Sequence, residues 1–286
     1  MPLVVLFSVP QTAQVPSPAP LADRPGVSVR VERRAERFDF HVENPSNFEP
    51  GPPVPHFFEQ IYDSDNTWIF VTAHYRIAGG GASTEVGLTP RITTSGSDID
   101  TFFQSSGEVI TSGTRGAVRL RSFSVQQRID MSTLRSWTLG VTVAYRRSDM
   151  DFLPSDRIVT RSLPASETRE PVGGDETTWS HVLESGVTAT APLVSGARWQ
   201  VTAGLEALPL TRARLTISLP LKYPGELIRQ DTFSFGARGR LAVARRTNRA
   251  DLGVALTAGG AWGYRSTTHY HAQHLGGEVF VRLPPR

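Results

Sequence analysis

Three short acidic pairs, Asp63-Ser64-Asp65, Asp98-Ile99-Asp100 and Asp149-Met150-Asp151, stand out as residues able to do chemistry. On extended backbone alternate side chains project the same way, so each Asp-x-Asp aims two carboxylates together. Such a pair suits a hard cation or the positioning of a water for general-base attack. Asp98 and Asp100 are the catalytic candidates; solvated loop acids are the plain alternative. A second group is His269, His271 and His274 in "THYHAQH". His269 and His271 share a face on a strand, and His274 would supply a third nitrogen for a transition metal. The chain has no cysteine, hence no disulfide and no thiolate site. It also lacks a Gly-rich phosphate loop, a GxSxG elbow and an HExxH helix, and no cofactor is expected.

The elements that must position these residues read as strands. In "WTLGVTVAYRR", Trp137, Leu139, Val141, Val143 and Tyr145 alternate with Thr138, Gly140, Thr142, Ala144 and Arg146. The same two-residue period runs through 66–77, 81–92, 198–206, 232–244, 250–262 and 274–283. These segments exceed the usual strand of about five or six residues and match the roughly 9 to 11 that a tilted strand needs to cross a bilayer. No apolar run reaches the roughly 20 residues of a membrane helix. The chain is therefore read as all-β.

Tight connections are expected near Gly79-Gly80, Asp130 to Ser132 and Leu193 to Gly196. Long polar loops are expected at about 43–66, 93–115 and 148–178. The apolar parity changes between Val27–Arg33 and Arg37–Asn44, as in a hairpin or a bulged strand, and again near Phe123 in "RLRSFSVQQRI". A closed barrel leaves no edge in lipid, and twelve strands are expected, with ten as the alternative. Residues 1–26, with apolar Leu3 to Val9 and then a Pro-rich stretch, read as a signal-like segment and leader, and 27–286 as one barrel domain.

From Val27 to Leu283 the chain resembles the bacterial outer-membrane β-barrels as a class. The two-residue period carries the resemblance, with Trp68, Tyr75, Trp137, Tyr145, Trp179, Trp199 and Trp262 near segment ends, where aromatic girdles meet headgroups. It implies an antiparallel transmembrane barrel in the outer membrane of a Gram-negative cell, with membrane lipid as partner. The class usually closes on a terminal aromatic residue, whereas here Phe280 precedes Leu283-Pro284-Pro285-Arg286. Asp98-x-Asp100 is similar to the first half of the catalytic set of the omptin proteases. That half alone does not carry the activity over. His74 and His181 are available to a phospholipase-type site, but no nucleophile is singled out.

If the apolar face meets lipid, the other face lines a lumen. That assigns Arg76, Glu85, Arg91, Arg119, Arg121, Arg146, Glu184, Arg198, Glu206, Arg214, Arg238, Arg240, Glu278 and Arg282 to the interior. Two outcomes follow: Arg and Glu pair and plug the barrel, or an arginine surplus leaves a hydrated pore for small anionic solutes. The net charge is +3, but Lys222 is the lone lysine and the arginines are scattered through the strands, which argues against nucleic acid as a partner. The expected function is a structural or small-solute channel barrel. The alternatives are a hydrolase at the barrel rim and a soluble ligand-binding β-barrel.

Overall fold

The computed structural model describes residues 25–43, 56–78, 80–104, 106–172, 174–196, 198–218, 220, 224–225, 227–263 and 268–283. All of its regular structure is strand: β1 (Gly26–Glu43), β2 (His56–Ile77), β3 (Gly80–Phe103), β4 (Val109–Leu134), β5 (Trp137–Ser162), β6 (Ala165–Glu170), β7 (Glu176–Ser195), β8 (Trp199–Ser218), β9 (Ile228–Arg246), β10 (Asp251–Gly263) and β11 (Thr268–Leu283). Each strand pairs antiparallel with its neighbours, β1 pairs with β11, and β4 pairs with β5, which closes the ring. β6 stands outside that ring as a hairpin arm on the far end of β5, from Arg157↔Glu170 to Ser162↔Ala165. The barrel therefore has ten strands, the alternative rather than the expected twelve. The leader at 1–24 and the last residues, 284–286, lie outside the described residues.

The strands are far longer than a membrane requires. β4 and β5 each have 26 residues, and at about 3.3 Å per residue each runs roughly 85 Å, against a hydrocarbon core of roughly 30 Å. Apolar outward positions occupy only the part next to the short turns. On β5 they are Leu139, Val141 and Val143, and on β10 Leu252, Val254 and Leu256; the latter three are all exposed. Tyr75, Trp137 and Trp199 lie outward near the short-turn end of this band, and Tyr145 and Trp262 near its other margin. From Trp137 to Tyr145 the strand advances about 26 Å at ~3.3 Å per residue, a fit to the apolar belt of this fold. Trp68 departs from the girdle expectation: it is 1% exposed, faces inward, and stacks on Phe70 with ring centroids 5.4 Å apart.

Beyond that margin the pleat continues but the chemistry of its faces inverts. Outward positions become charged: Arg33, Asp65, Arg91, Arg121, Arg147, Asp149 and Asp151. Inward positions become apolar, and Phe40, Tyr62, Val118, Leu120, Met150, Phe152, Val182, Leu215, Ile217 and Tyr270 form one core inside the barrel. Four expectations are corrected here, the first three by this inversion. Among the described residues, the stretches expected as long loops at 43–66, 93–115 and 148–178 are largely strand: β2 begins at His56, β3 runs to Phe103, β4 begins at Val109 and β5 runs to Ser162. The parity change within 27–44 is one continuous strand, β1, leaving lipid for water. The change near Phe123 is not a bulge in β4; the extra residue belongs to β3, between Thr89 and Ile92. The turn expected at Asp130 to Ser132 is instead a register shift inside β4, and the chain reverses after Leu134.

Candidate functional site

At the level of the apolar band the barrel interior is filled by paired charge. Arg30 donates to Glu85 through both Nε (3.1 Å) and Nη2 (2.7 Å), and through Nη1 to Glu32 (2.7 Å) and Glu278 (2.9 Å). Its guanidinium lies over the Phe70 ring, 3.5 Å from the centroid. Arg34 donates to both oxygens of Glu32 (3.0 and 2.8 Å) and to Glu36 (3.2 Å). Arg146 reaches Tyr270 Oη at 2.8 Å and Glu36 at 3.4 Å. Arg238 holds Glu184 and Glu206, Arg240 holds Glu278, and Arg128 holds Asp130. Glu32 also accepts from the Thr257 hydroxyl. The close approach needs Gly276, where a Cβ would sit 2.6 Å from Glu32 Oε1. A guanidinium at this depth is tolerable only because its donors meet carboxylates in bidentate or shared geometry.

Of the residues assigned to the lumen from sequence, Glu85, Arg146, Glu184, Glu206, Arg238, Arg240, Glu278 and Arg282 lie on the inward face. Arg76 lies on the same parity but is exposed at the short-turn end of β2. Five assignments are corrected. The β3 bulge between Thr89 and Ile92 turns Arg91 outward, where it pairs with Asp151. A matching extra residue in β8, between Leu208 and Thr211, turns Arg214 outward toward Asp231. Arg119 and Arg121 project outward above the apolar band because the inward neighbours are Val118 and Leu120; the Arg121 side chain is 68% exposed. Arg198 sits exposed in the turn before β8, its carbonyl accepting from Arg246 N at 2.7 Å.

Above the apolar core a second cluster gathers inside the mouth. Glu176, 3% exposed, accepts from the Gln60 amide and from Thr178 Oγ1 at 3.0 Å. Asp98 and Asp100 face the same interior from β3, near enough for Asp100 to act on the Glu176 carboxyl and for Asp98 to act on the Tyr62 phenol. Burial, reinforced by the Asp100 charge against two opposing hydrogen bonds, raises Glu176 to about 7. Burial and the nearby Glu176 and Asp98 likewise push the Tyr62 phenol well up. The other two Asp-x-Asp pairs are dispersed on the outer wall: Asp63 and Asp65 pair with Arg37 and Arg33, and Asp149 and Asp151 with Arg121, Arg147 and Arg91.

The histidine group is not assembled. His271 and His274 project to opposite faces of β11, and the His269 side chain lies outside the described residues. Among the described residues no group of three acidic, histidine or cysteine side chains is placed to hold a metal.

The sequence matches no protein-family model and no curated protein. Among solved structures, the outer membrane protease OmpT from Escherichia coli superposes with a TM-score of 0.65 at 10% identity, over 93% of this chain and 98% of that one. The β domain of the Bordetella autotransporter BrkA aligns over 92% of this chain and 100% of its own at 9% identity, with a TM-score of 0.35. The chain has the fold of a bacterial outer-membrane β-barrel. With OmpT the fold is what is shared, and the chemistry rests on the chain's own residues.

Proposed function

We propose that this protein is an integral outer-membrane barrel whose lumen is closed at membrane depth, and that it serves as a rigid stalk carrying a projecting, water-exposed half. The single observation behind this reading is the charge balance of the network. Arg30, Arg34, Arg128, Arg146, Arg238 and Arg240 face Glu32, Glu36, Glu85, Asp130, Glu184, Glu206 and Glu278, so this set carries no cationic surplus to draw anions through. Short turns mark the periplasmic end in this fold and longer loops the outside, so the projecting half faces the cell exterior. Purified protein in planar bilayers is the test: the closed reading expects no stepwise current in chloride or in phosphate salts. A reproducible anion-selective step would restore the small-solute channel.

A second reading, hydrolysis at the mouth, is favoured by one observation, the gathering of Glu176 with Asp100, and of Tyr62 with Asp98 and Glu176, inside the mouth. A carboxyl near 7 is poised to exchange a proton at neutral pH. Fluorogenic peptide and ester panels test it. Turnover that falls at least tenfold in Glu176→Gln and in Asp98→Asn would support a catalytic mouth, and no turnover with any substrate would remove it.

A further inference from the structure

The outer wall carries a concavity at the margin where the apolar band ends. A cleft of about 530 Å³ lies against β5, β7, β8 and β9, with Tyr145, His181, Leu183, Arg212, Arg214 and Arg229 around it. Its floor toward the membrane is Leu183, 50% exposed, and the apolar track continues downward over exposed Leu210 and Val187. Its upper wall is cationic. Arg214 donates to Asp231 through Nε (3.0 Å) and Nη2 (2.9 Å), and Arg212 reaches the same carboxylate at 3.3 Å. Among the described residues lining the cleft none is acidic, and Asp231 is the carboxylate that Arg212 and Arg214 share. Three guanidiniums thus border the cleft, and the one carboxylate at its edge, Asp231, engages two of them. On the opposite side Tyr145 Oη and His181 Nδ1 are held 2.7 Å apart, adding neutral hydrogen-bonding groups to the site.

From this arrangement we infer that the cleft binds the phosphate-bearing headgroup of an outer-leaflet lipid, with an acyl chain lying along Leu183, Leu210 and Val187. Guanidinium forks match phosphate oxygens in planar, bidentate geometry, and a cationic patch directly over an apolar track fits an anionic amphiphile better than a soluble anion. The reading rests on the lipid-facing assignment of the band, which outer-membrane fractionation tests separately.

The experiment uses the full chain in a neutral detergent and three probes: dihexanoyl phosphatidate, dihexanoyl phosphatidylcholine and inorganic phosphate, each titrated by calorimetry. Phosphatidate should bind at least tenfold more tightly than the other two. The variant Arg212→Gln/Arg214→Gln/Arg229→Gln should lose at least tenfold in phosphatidate affinity while keeping the migration shift of the unboiled barrel on a detergent gel. Asp231→Asn removes the competing carboxylate and should tighten binding severalfold, a gain that misfolding cannot mimic. Equal affinity for phosphate and phosphatidate would overturn the lipid as ligand. Unchanged phosphatidate binding in the triple variant, or weaker binding in Asp231→Asn, would overturn the site.

Discussion

Two stretches of β5 lie on one strand and one pleat, yet they obey opposite rules. From Trp137 to Tyr145 the outward residues are apolar and the inward ones small or polar; from Arg147 to Phe152 the outward residues are Arg147, Asp149 and Asp151 and the inward ones Ser148, Met150 and Phe152. No register shift separates them, for β5 pairs continuously with β7 from Thr138 to Phe152. What changes is the solvent outside. In lipid, the barrel puts its apolar groups outward and must neutralise whatever charge it encloses; in water it puts charge outward and encloses a core. The lower half is held by ion pairs in a confined, poorly hydrated space, and the upper half by the packing of a soluble protein.

The largest effect expected from this contrast comes from breaking the lower network. Arg30→Ala leaves Glu85 without its guanidinium and takes one of two from Glu32, held also by Arg34, and from Glu278, held also by Arg240; loss of one member of a buried ion pair typically costs about 3–5 kcal/mol. A large drop in the urea midpoint, or loss of the heat-dependent gel shift, is the expected readout. A neutral result would mean that the interior is wet enough to solvate the Glu85 carboxylate.

Charge on the outer wall sharpens the contrast next. Val141→Arg, in mid-band, should cost about 2–4 kcal/mol in membrane-inserted stability, whereas Arg147→Val, beyond the margin, should change it far less. Equal costs, measured by reversible unfolding in liposomes, would erase the boundary.

A smaller, pH-dependent effect is expected at the mouth. The Glu176 carboxyl is raised from 4.5 to about 7, so the folded state holds its proton over a range where the unfolded chain has released it. Its stabilising contribution is fully present below 4.5 and lost as pH rises through about 7. Stability of the wild type should therefore decline across that window, and Glu176→Gln should flatten the decline. A profile that Glu176→Gln leaves unaltered would assign the carboxyl an ordinary titration.

The smallest effect belongs to the exposed pairs. Arg33 and Asp65 are both more than 60% exposed, and Arg33→Ala should cost at most about 1 kcal/mol and fade in high salt. A loss as large as that of Arg30→Ala would contradict the distinction between enclosed and solvated pairs.

The period-two pattern made the membrane half legible in the sequence, because lipid outside and polar groups inside give clean alternation over nine or ten residues at about 180° each. The projecting half was not legible. There the alternation persists with its sign reversed, which in a linear sequence looks like a bulge or a loop, and so β1 and β4 were misread at Arg33 and Phe123. Arg91 and Arg214 were lost to single-residue insertions on β3 and β8 that no local residue type announces. The even positions Arg30, Glu32, Arg34 and Glu36 were within reach, as alternating charges opposite Val27, Val29 and Val31, once β1 is read as one strand. Glu176 was not, since its character comes from burial inside the barrel and from Asp100 on another strand.

The seam between β1 and β11 has a kinetic meaning. It matches Val27 with Leu283 and continues to Val42 with Thr268, the most sequence-distant contacts in the barrel. Pairings of such separation form slowly. A slip of β11 by one residue here would carry Glu278 into hydrocarbon and turn Val279 and Val281 inward. Arg30 and Arg240 complete their contacts with Glu278 in one register alone, so the ion-pair network doubles as a latch that rejects a misaligned closure during assembly.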